Sequence, residues 1–538
     1  LIVQQGIHVL DTPPGRVRTP SVTGWLVLAL VVVAATVATA GLVAVTRPVQ
    51  SAARIVVRGR EPATAATVLA GSPAVASADE ARALLAGAPS AVVADPGRNA
   101  DVVAAAGIAR RAHAPLLLMP APAAPGTSLA GSQGTAALAA QIAALRAAIK
   151  ALHPTAVLAV GVGRSVLAAD LPGVRVVSTA SALPATTAAA PLTGVAVLVH
   201  TGRSVAASAL AIAATVTARA AGARVIDTPG YDPRADPAVI RALTAARPQR
   251  VVGIGAGFGS AGMLAARIAV AETGVQLPGG GQVLFPGRRI VALYGTPGTP
   301  ALGALGEQGL AASIARAKAT AAQYAALAKV PVIPSFEIIA TVAQASAGRS
   351  GLFSYEASVA TLRPWVMAAR KAGLFVTLDL QPGRASLLAQ AIRYRSLLRL
   401  PNVGLALDPE WKLQPGELPL QQIGSVSVSE VNKVASWLAE LTAKYRLPQK
   451  LLELHEFRLT MIQNLRRLDT RHDDLAIVIN MDGQGAPGTK QQTWQSVVAN
   501  APRGVYFGWK DFYVKDTPML GPKQTFRHRP SPVLISYQ

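Results

Sequence analysis

Three patterns of apolar and polar residues follow one another along the chain. The first is an uncharged, nearly unbroken apolar run from Trp25 to Val45. At ~1.5 Å per residue it is about one bilayer thick, which predicts a single transmembrane helix. The second pattern consists of short continuous apolar segments between Ala-rich helical stretches: 91–95, 115–119 and 156–160, then 195–199, 223–226 and 250–254. Such runs read as strands of parallel sheets buried on both faces. The third pattern starts near Arg289, with apolar segments at 290–294, 331–337, 374–379, 403–408, 450–456, 475–482, 504–509 and 532–537. Helical patterns lie between most of them, at 305–328, 355–372, 384–399, 428–445, 458–468 and 488–500. Eight strands with intervening helices over about 250 residues predict a (β/α)8 barrel.

The middle region is a duplication. Gly97-Arg98 and Gly202-Arg203 follow the first strand of each copy, and Pro154 and Pro248 precede the third. The fold class is therefore α/β: an N-terminal transmembrane helix, tandem Rossmann-like α/β repeats and a C-terminal TIM barrel. The segments run 1–24 (cytoplasmic N-terminus), 25–46 (transmembrane helix or signal anchor), 47–90 (connector), 91–190 and 191–273 (the two repeats) and 274–538 (barrel). Before the first barrel strand, 275–277 and 282–285 flank a Pro-Gly-Gly-Gly turn and suggest a hairpin plugging the barrel's bottom. No helix follows the eighth strand, and the helical stretch at 260–272 is the candidate to replace it. Gly257-Phe-Gly259-Ser-Ala-Gly262 fits a dinucleotide fingerprint, but no acidic strand end follows about 20 residues on. A tight turn is the better reading, and no cofactor is expected.

Composition narrows the partners. Of 538 residues, 51 are Lys or Arg and 28 Asp or Glu, a net charge of +23, while 51% are hydrophobic and none is Cys. The apolar content excludes a mainly disordered chain. The missing thiols exclude disulfides, thiolate metal sites and Cys nucleophiles. The positive excess suits an anionic polymer or lipid. With aromatics at 4% and no basic reading motif, nucleic acid is not expected as a partner.

The order of strand, Ala-rich helix, Ala114-Pro-Leu-Leu-Leu118, helix and Ala156-Val-Leu-Ala-Val-Gly-Val-Gly163 resembles the type 2 cell-wall-binding repeat of Gram-positive surface proteins. The resemblance covers about residues 90–270 and implies noncovalent attachment to anionic cell-wall polymer or peptidoglycan. Arg16 and Arg18 precede the apolar run, and Ala38-Thr39-Ala40 suits a cleavage site. The run continues past it, which favours an uncleaved, single-pass anchor in the cytoplasmic membrane. Arg47, Arg54, Arg58 and Arg60 argue for the opposite orientation, but long domains translocate regardless of such charges. The bulk of the chain is therefore expected outside the cytoplasm, on the cell-wall side.

In a (β/α)8 barrel, function gathers at the C-terminal ends of the strands. Here those ends carry Tyr294, Glu337, Asp379, Asp408 with Glu410, His455 with Glu456, Asp482, and Trp509 with Lys510. Any one carboxylate equally suits the N-terminus of the following helix, but a polar tip on nearly every strand points to a site. Within Asp408-Pro-Glu410-Trp411, positions i and i+2 of a strand face the same side, so both carboxylates reach one cavity. Paired carboxylates split their pKa values as acid–base chemistry requires. The Asp-x-Glu at the fourth strand is similar to that of Chalaropsis-type muramidases and chitinase-like barrels. That likeness implies glycoside hydrolysis of N-acetylhexosamine-containing glycan, with Glu410 as general acid/base and Asp408 steadying a participating acetamido group. Trp411 and Trp509 would stack on sugar faces, and Tyr294, Glu337, Asp379, His455, Asp482 and Lys510 would line the cleft.

A broader likeness runs through Leu293-Tyr-Gly295, Ala301–Gln308, Leu378–Gly383, Gly404–Trp411 and Val533–Gln538. These segments look like a group of actinobacterial surface proteins that pair the same wall-binding repeat with a barrel of unassigned reaction. Seven His without a His-x-x-x-His pair make a structural zinc site unexpected, and no metal is expected in the active site. His113 and His153, beside apolar strands, read as structural. Two functions follow: a membrane-anchored wall-binding glycan hydrolase, or a non-catalytic wall- or carbohydrate-binding scaffold.

Overall fold

In a computed structural model, which describes residues 55–120, 132–202 and 204–538, all six strands expected in the middle region form. The apolar run at 25–45 and its orientation lie outside the described residues. In chain order the strands are β1 (Ala66–Leu69), β2 (Ser90–Ala94), β3 (Leu116–Leu118), β4 (Ala156–Val160), β5 (Val176–Val177), β6 (Leu192–His200), β7 (Ala223–Thr228) and β8 (Arg250–Ile254). They make two four-stranded parallel sheets of matching topology, β3-β2-β4-β5 and β7-β6-β8-β1.

The second sheet takes its fourth strand from upstream of the first repeat, so the stretch read as a connector is structured. It holds β1 and the helix Pro73–Leu84, whose first turn is capped by the Ser72 hydroxyl accepting from the Val75 N–H. That helix and Val205–Ala220 also secure β3, an edge strand. Ser77 Oγ accepts from the Leu118 N–H at 3.1 Å, and Thr217 Oγ1 bonds both the N–H and the carbonyl of Leu116 at 3.1 and 3.2 Å. Both hydroxyl residues are fully buried, so each satisfies an edge that a dry interface would otherwise leave unpaired. His113 and His153 have φ of +46° and +49° just past helices Asn99–Arg111 and Ser132–Leu152, the left-handed conformation that ends a helix. The helical stretch Gly134–Leu152 is apolar and long enough to cross a membrane, but Leu145, Ala148, Ile149 and Leu152 are buried in the core of the α/β region.

All eight barrel strands form: β9 (Arg289–Gly295), β10 (Val332–Ala343), β11 (Phe375–Leu380), β12 (Val403–Leu407), β13 (Lys450–His455), β14 (Leu475–Met481), β15 (Tyr506–Asp511) and β16 (Leu534–Tyr537). They pair in parallel sequence, and β9 closes the circle by pairing with both β10 and β16. Strand alternation sorts the side chains. Val291, Phe336, Leu378, Leu405, Leu452, Ile479 and Ile535 face outward into the layer beneath the helices. Ile290, Ile333, Phe375, Leu451, Val478 and Leu534 close the inner bottom together with Leu277, Leu284 and Phe285 of the preceding segment.

That segment plugs the barrel as expected, but not as a hairpin. Gly279, Gly280 and Gly281 all have positive φ and coil the chain, so that the Leu277 N–H bonds the Gly281 carbonyl and no ladder forms. Two further expectations are corrected. Residues 458–468 are not helical: Ile462–Gln463 pairs with Val426–Ser427, and Asn464, at φ +61°, turns the chain into one 3-10 turn. The helix Ala261–Ala271 does not replace a barrel helix, because Leu264, Ile268 and Ala271 are buried with Ala66 and Val251 of the second sheet.

An ion-pair cluster joins the α/β region to the barrel bottom. Arg234, only 2% exposed, contacts Asp232 and Asp473 at 2.8 Å each, and Arg267 grips Asp473 through two nitrogens at 2.6 and 3.0 Å. Bidentate pairs of this kind are stronger than single surface bridges. Asp473→Ala should destabilise the protein by about 1–3 kcal/mol, since Arg234 is left with Asp232 alone. Thermal denaturation should show a lower midpoint, and an unchanged one would remove this cluster as a structural link.

Candidate active site

Above the apolar plug, the barrel interior becomes small and then charged. Ala292, Ser335, Thr377, Ala406, Gly508 and Ser536 occupy the inward positions of the middle layer. A Cβ at Gly508 would lie 2.8 Å from Asn480 Oδ1. These small residues leave room for two larger polar groups, Glu453 and Asn480, joined by the Asn480 amide donating to Glu453 Oε1 at 2.6 Å. One step higher, Tyr294, Glu337, Asp379, His455 and Lys510 point inward from five strands, and Asp408 and Asp482 follow the ends of two more.

His455 is the centre of this layer. Its Nδ1 lies 3.0 Å from Asp482 Oδ2, and its Nε2 lies 2.8 Å from Glu337 Oε1 as an ion-pair contact off the line of the N–H. Asp379 and Glu453 oxygens are each 3.9 Å from the same nitrogen. Burial disfavours the charge, but Asp482 and Glu337 outweigh it and hold the imidazole well above its usual pKa, as imidazolium. Lys510 Nζ sits 3.4 Å from the centre of the Tyr294 ring, and surrounding carboxyls led by Asp482 keep it charged against the cost of burial. The Tyr294 hydroxyl donates to Asp379 Oδ2 at 3.0 Å and accepts from Gln381 Nε2 at 3.2 Å.

Asp408 and Glu410 converge, although not as alternate positions of a strand. β12 ends at Leu407, and Pro409 starts a 3-10 turn, Pro409–Trp411, that swings Glu410 back over Asp408. One carboxyl oxygen each of Asp408, Glu410 and Asp482 lies within 4.8 Å of the others. The three differ in charge. Asp482 is held below the usual carboxylate range because His455 and Lys510 overcome its burial. Asp408 is pushed well above that range by burial and by Glu410. Glu410 is pushed up to about 7, by burial first and then by Asp482. Asp379 rises to about 6, also through burial, and Glu453 rises well above its usual value for the same reason. One carboxylate, one carboxylic acid and one group that titrates near neutrality thus share a small volume.

A cavity of about 610 Å³ opens onto this cluster, lined by Tyr294, Gln381, Glu410, Trp411, Asp482 and Lys510 among others. Its size is that of a small-molecule site. Five of the residues expected here therefore reach the cavity, namely Tyr294, Glu410, Trp411, Asp482 and Lys510. Glu337, Asp379, Asp408 and His455 are buried beneath it and are not among the residues that line it. Trp509 corrects the expectation of a sugar-stacking ring. It lies between inward-facing Gly508 and Lys510 and so points outward, stacked on His528 at 3.9 Å with its Nε1 donating to Asp511. Gln381, Glu453 and Arg458 were not foreseen. Glu453 was legible from the inward alternation of 451, 453 and 455, whereas Gln381 and Arg458 lie on loops whose course the sequence does not fix.

The carboxylates of Asp408, Glu410 and Asp482 form a donor set of the kind that suits a hard divalent cation. Lys510 supplies positive charge to the same groups. At the glycine fingerprint the Tyr231 ring packs over Gly257, where a Cβ would fall 2.4 Å from it. No family model, curated protein or solved structure matches the chain.

Glu410 makes the stability of the barrel pH-dependent. A carboxyl raised from about 4.3 when unfolded to about 7 when folded is neutral in both states below pH 4 and ionised in both above pH 7. Its burial cost is absent at low pH and grows as pH rises through that window. Glu410→Gln should therefore stabilise the protein at pH 8 by on the order of 3 kcal/mol and change little at pH 4, as measured by denaturation midpoints.

Proposed function

We propose that the barrel is a glycoside hydrolase acting on N-acetylhexosamine-containing glycan, with Glu410 as its general acid/base. The observation that carries this reading is the placement of Glu410 at the cavity wall, with Asp408 and Asp482 oxygens within 4.8 Å. The protonated Glu410 gives its proton to the glycosidic oxygen as the C1–O bond breaks. The acetamido oxygen of the same sugar closes on C1 to form an oxazolinium ion. Water then adds to C1 and loses a proton to the Glu410 carboxylate, which restores the acid and reopens the ring. Asp482, ionised and lining the cavity, faces the positive charge that develops. The role that the sequence gives to Asp408 thus passes to Asp482, while neutral Asp408 beneath Glu410 spares the site a third adjacent charge. Trp411 lines the cavity, where its ring can pack against a sugar face.

In this reading the paired α/β sheets hold anionic wall polymer, consistent with the net charge of +23, and the run at 25–45 tethers the protein to the membrane with its bulk on the wall side. A non-catalytic carbohydrate-binding scaffold is the second reading. It is favoured by Pro409, whose turn leaves Asp408 buried and only two carboxylates facing the cavity.

Glu410→Gln should reduce release of reducing ends from peptidoglycan strands or chitooligosaccharides by about 10²–10⁴-fold. The wild-type rate should fall above pH 7 as Glu410 loses its proton. Unchanged activity in the variant would remove Glu410 from the reaction, and no cleavage of either glycan by the wild type would favour the scaffold.

A further inference from the structure

The cavity does not end at Glu410. On the other side of the Glu410–Trp411 turn lies a second groove of about 360 Å³, walled by Leu413 and by the loop from Pro419 to Ile423. Ala343, Glu410, Trp411 and Arg458 line both spaces, so the groove and the cavity meet at the residue assigned to proton donation. The groove wall is mixed in a way that suits a sugar: apolar Leu420 and Ile423 are exposed, and Gln421 and Gln422 offer amides beside them. Leu420 is 81% exposed with φ +63°, a left-handed conformation that a branched residue adopts at some cost.

Arg458 stands at the junction. It is exposed, it is the one basic residue that lines both the cavity and the groove, and among the described residues its guanidinium has no carboxylate within ion-pair distance. Its charge is also opposite to that of the Glu410–Asp482 wall. A planar guanidinium free to form a fork matches a carboxylate on the ligand.

We propose that this groove is a second saccharide subsite, so that the glycan runs across Glu410 and is cut internally, and that Arg458 pairs with a carboxylate borne by the chain. The proposal rests on the glycan reading and specifies the polymer as an acidic one, held on both sides of the scissile bond.

The test reads binding and not cleavage. Titration calorimetry would compare chitotetraose, which is neutral, with a tetrasaccharide of alternating N-acetylglucosamine and N-acetylmuramic acid, which has the same type of backbone and carries lactyl carboxylates. The wild type should bind the acidic tetrasaccharide about tenfold more tightly, Arg458→Ala should erase that preference, and the acidic disaccharide should bind more weakly than the tetrasaccharide. Equal affinities in the wild type, or a preference that survives in Arg458→Ala, would overturn the assignment of Arg458. A disaccharide that binds as well as the tetrasaccharide would overturn the second subsite. Arg458-dependent binding without cleavage would defeat the hydrolytic reading and with it the internal cut, leaving the subsite and its arginine standing, and cleavage without that dependence would defeat the assignment of Arg458 alone.

Discussion

The barrel's upper interior depends on one ionic contact: the imidazolium of His455 held between Asp482 and Glu337, with every partner fully or nearly fully buried. Carboxyls crowded into a low-dielectric space ionise only where a positive charge compensates them. His455 and Lys510 are the two cations that face this space, and they do not act evenly. Asp482 touches His455 and is held below the usual carboxylate range; Asp408, with no contact to His455 and with Glu410 beside it, is pushed well above that range. Glu410 falls between them. A ring of similar acids thereby acquires different proton affinities without any difference in residue type.

The rest of the barrel is arranged to permit this contact. The apolar bottom, sealed by Leu277, Leu284 and Phe285, keeps water from reaching the buried acids from below. The small residues of the middle layer make space for Glu453 and Asn480. The outward layer, filled by branched aliphatics and by the aromatic cluster of Trp494, Trp509 and His528, fixes the strands that carry the charged side chains. The layers follow from strand alternation, and a shift of one residue in any strand would reverse them.

Much of this was legible in the sequence, because the strands of a parallel barrel are short apolar runs ending in polar residues. All eight strands and most of the inward acids could be read that way. The errors have local physical causes. Trp509 and Lys510 are neighbours on a strand and cannot both face inward. Pro409 replaces the strand geometry assumed for Asp408 and Glu410 with a turn, and the carboxylates meet by folding back instead of by alternation. β1 is only four residues long, and its place in a sheet is set by partners some 180 residues away in β8. Ser77 and Thr217 look like ordinary helix residues, and only the folded chain reveals the edge that they satisfy.

The origin of β1 bears on how the two repeats relate. Tandem modules commonly stand as open arrays, in which one unit can be lost or added without harm to its neighbours. Here the leading segment completes the trailing sheet, and a helix of the trailing unit seals the border of the leading one. The second sheet borrows a strand from the segment ahead of the first repeat, and the first sheet borrows the cover of its edge from a helix of the second. Removing the segment that carries β1 would take a strand from the second sheet, and removing Val205–Ala220 would uncover the border of the first, so the two sheets behave as a single mechanical block.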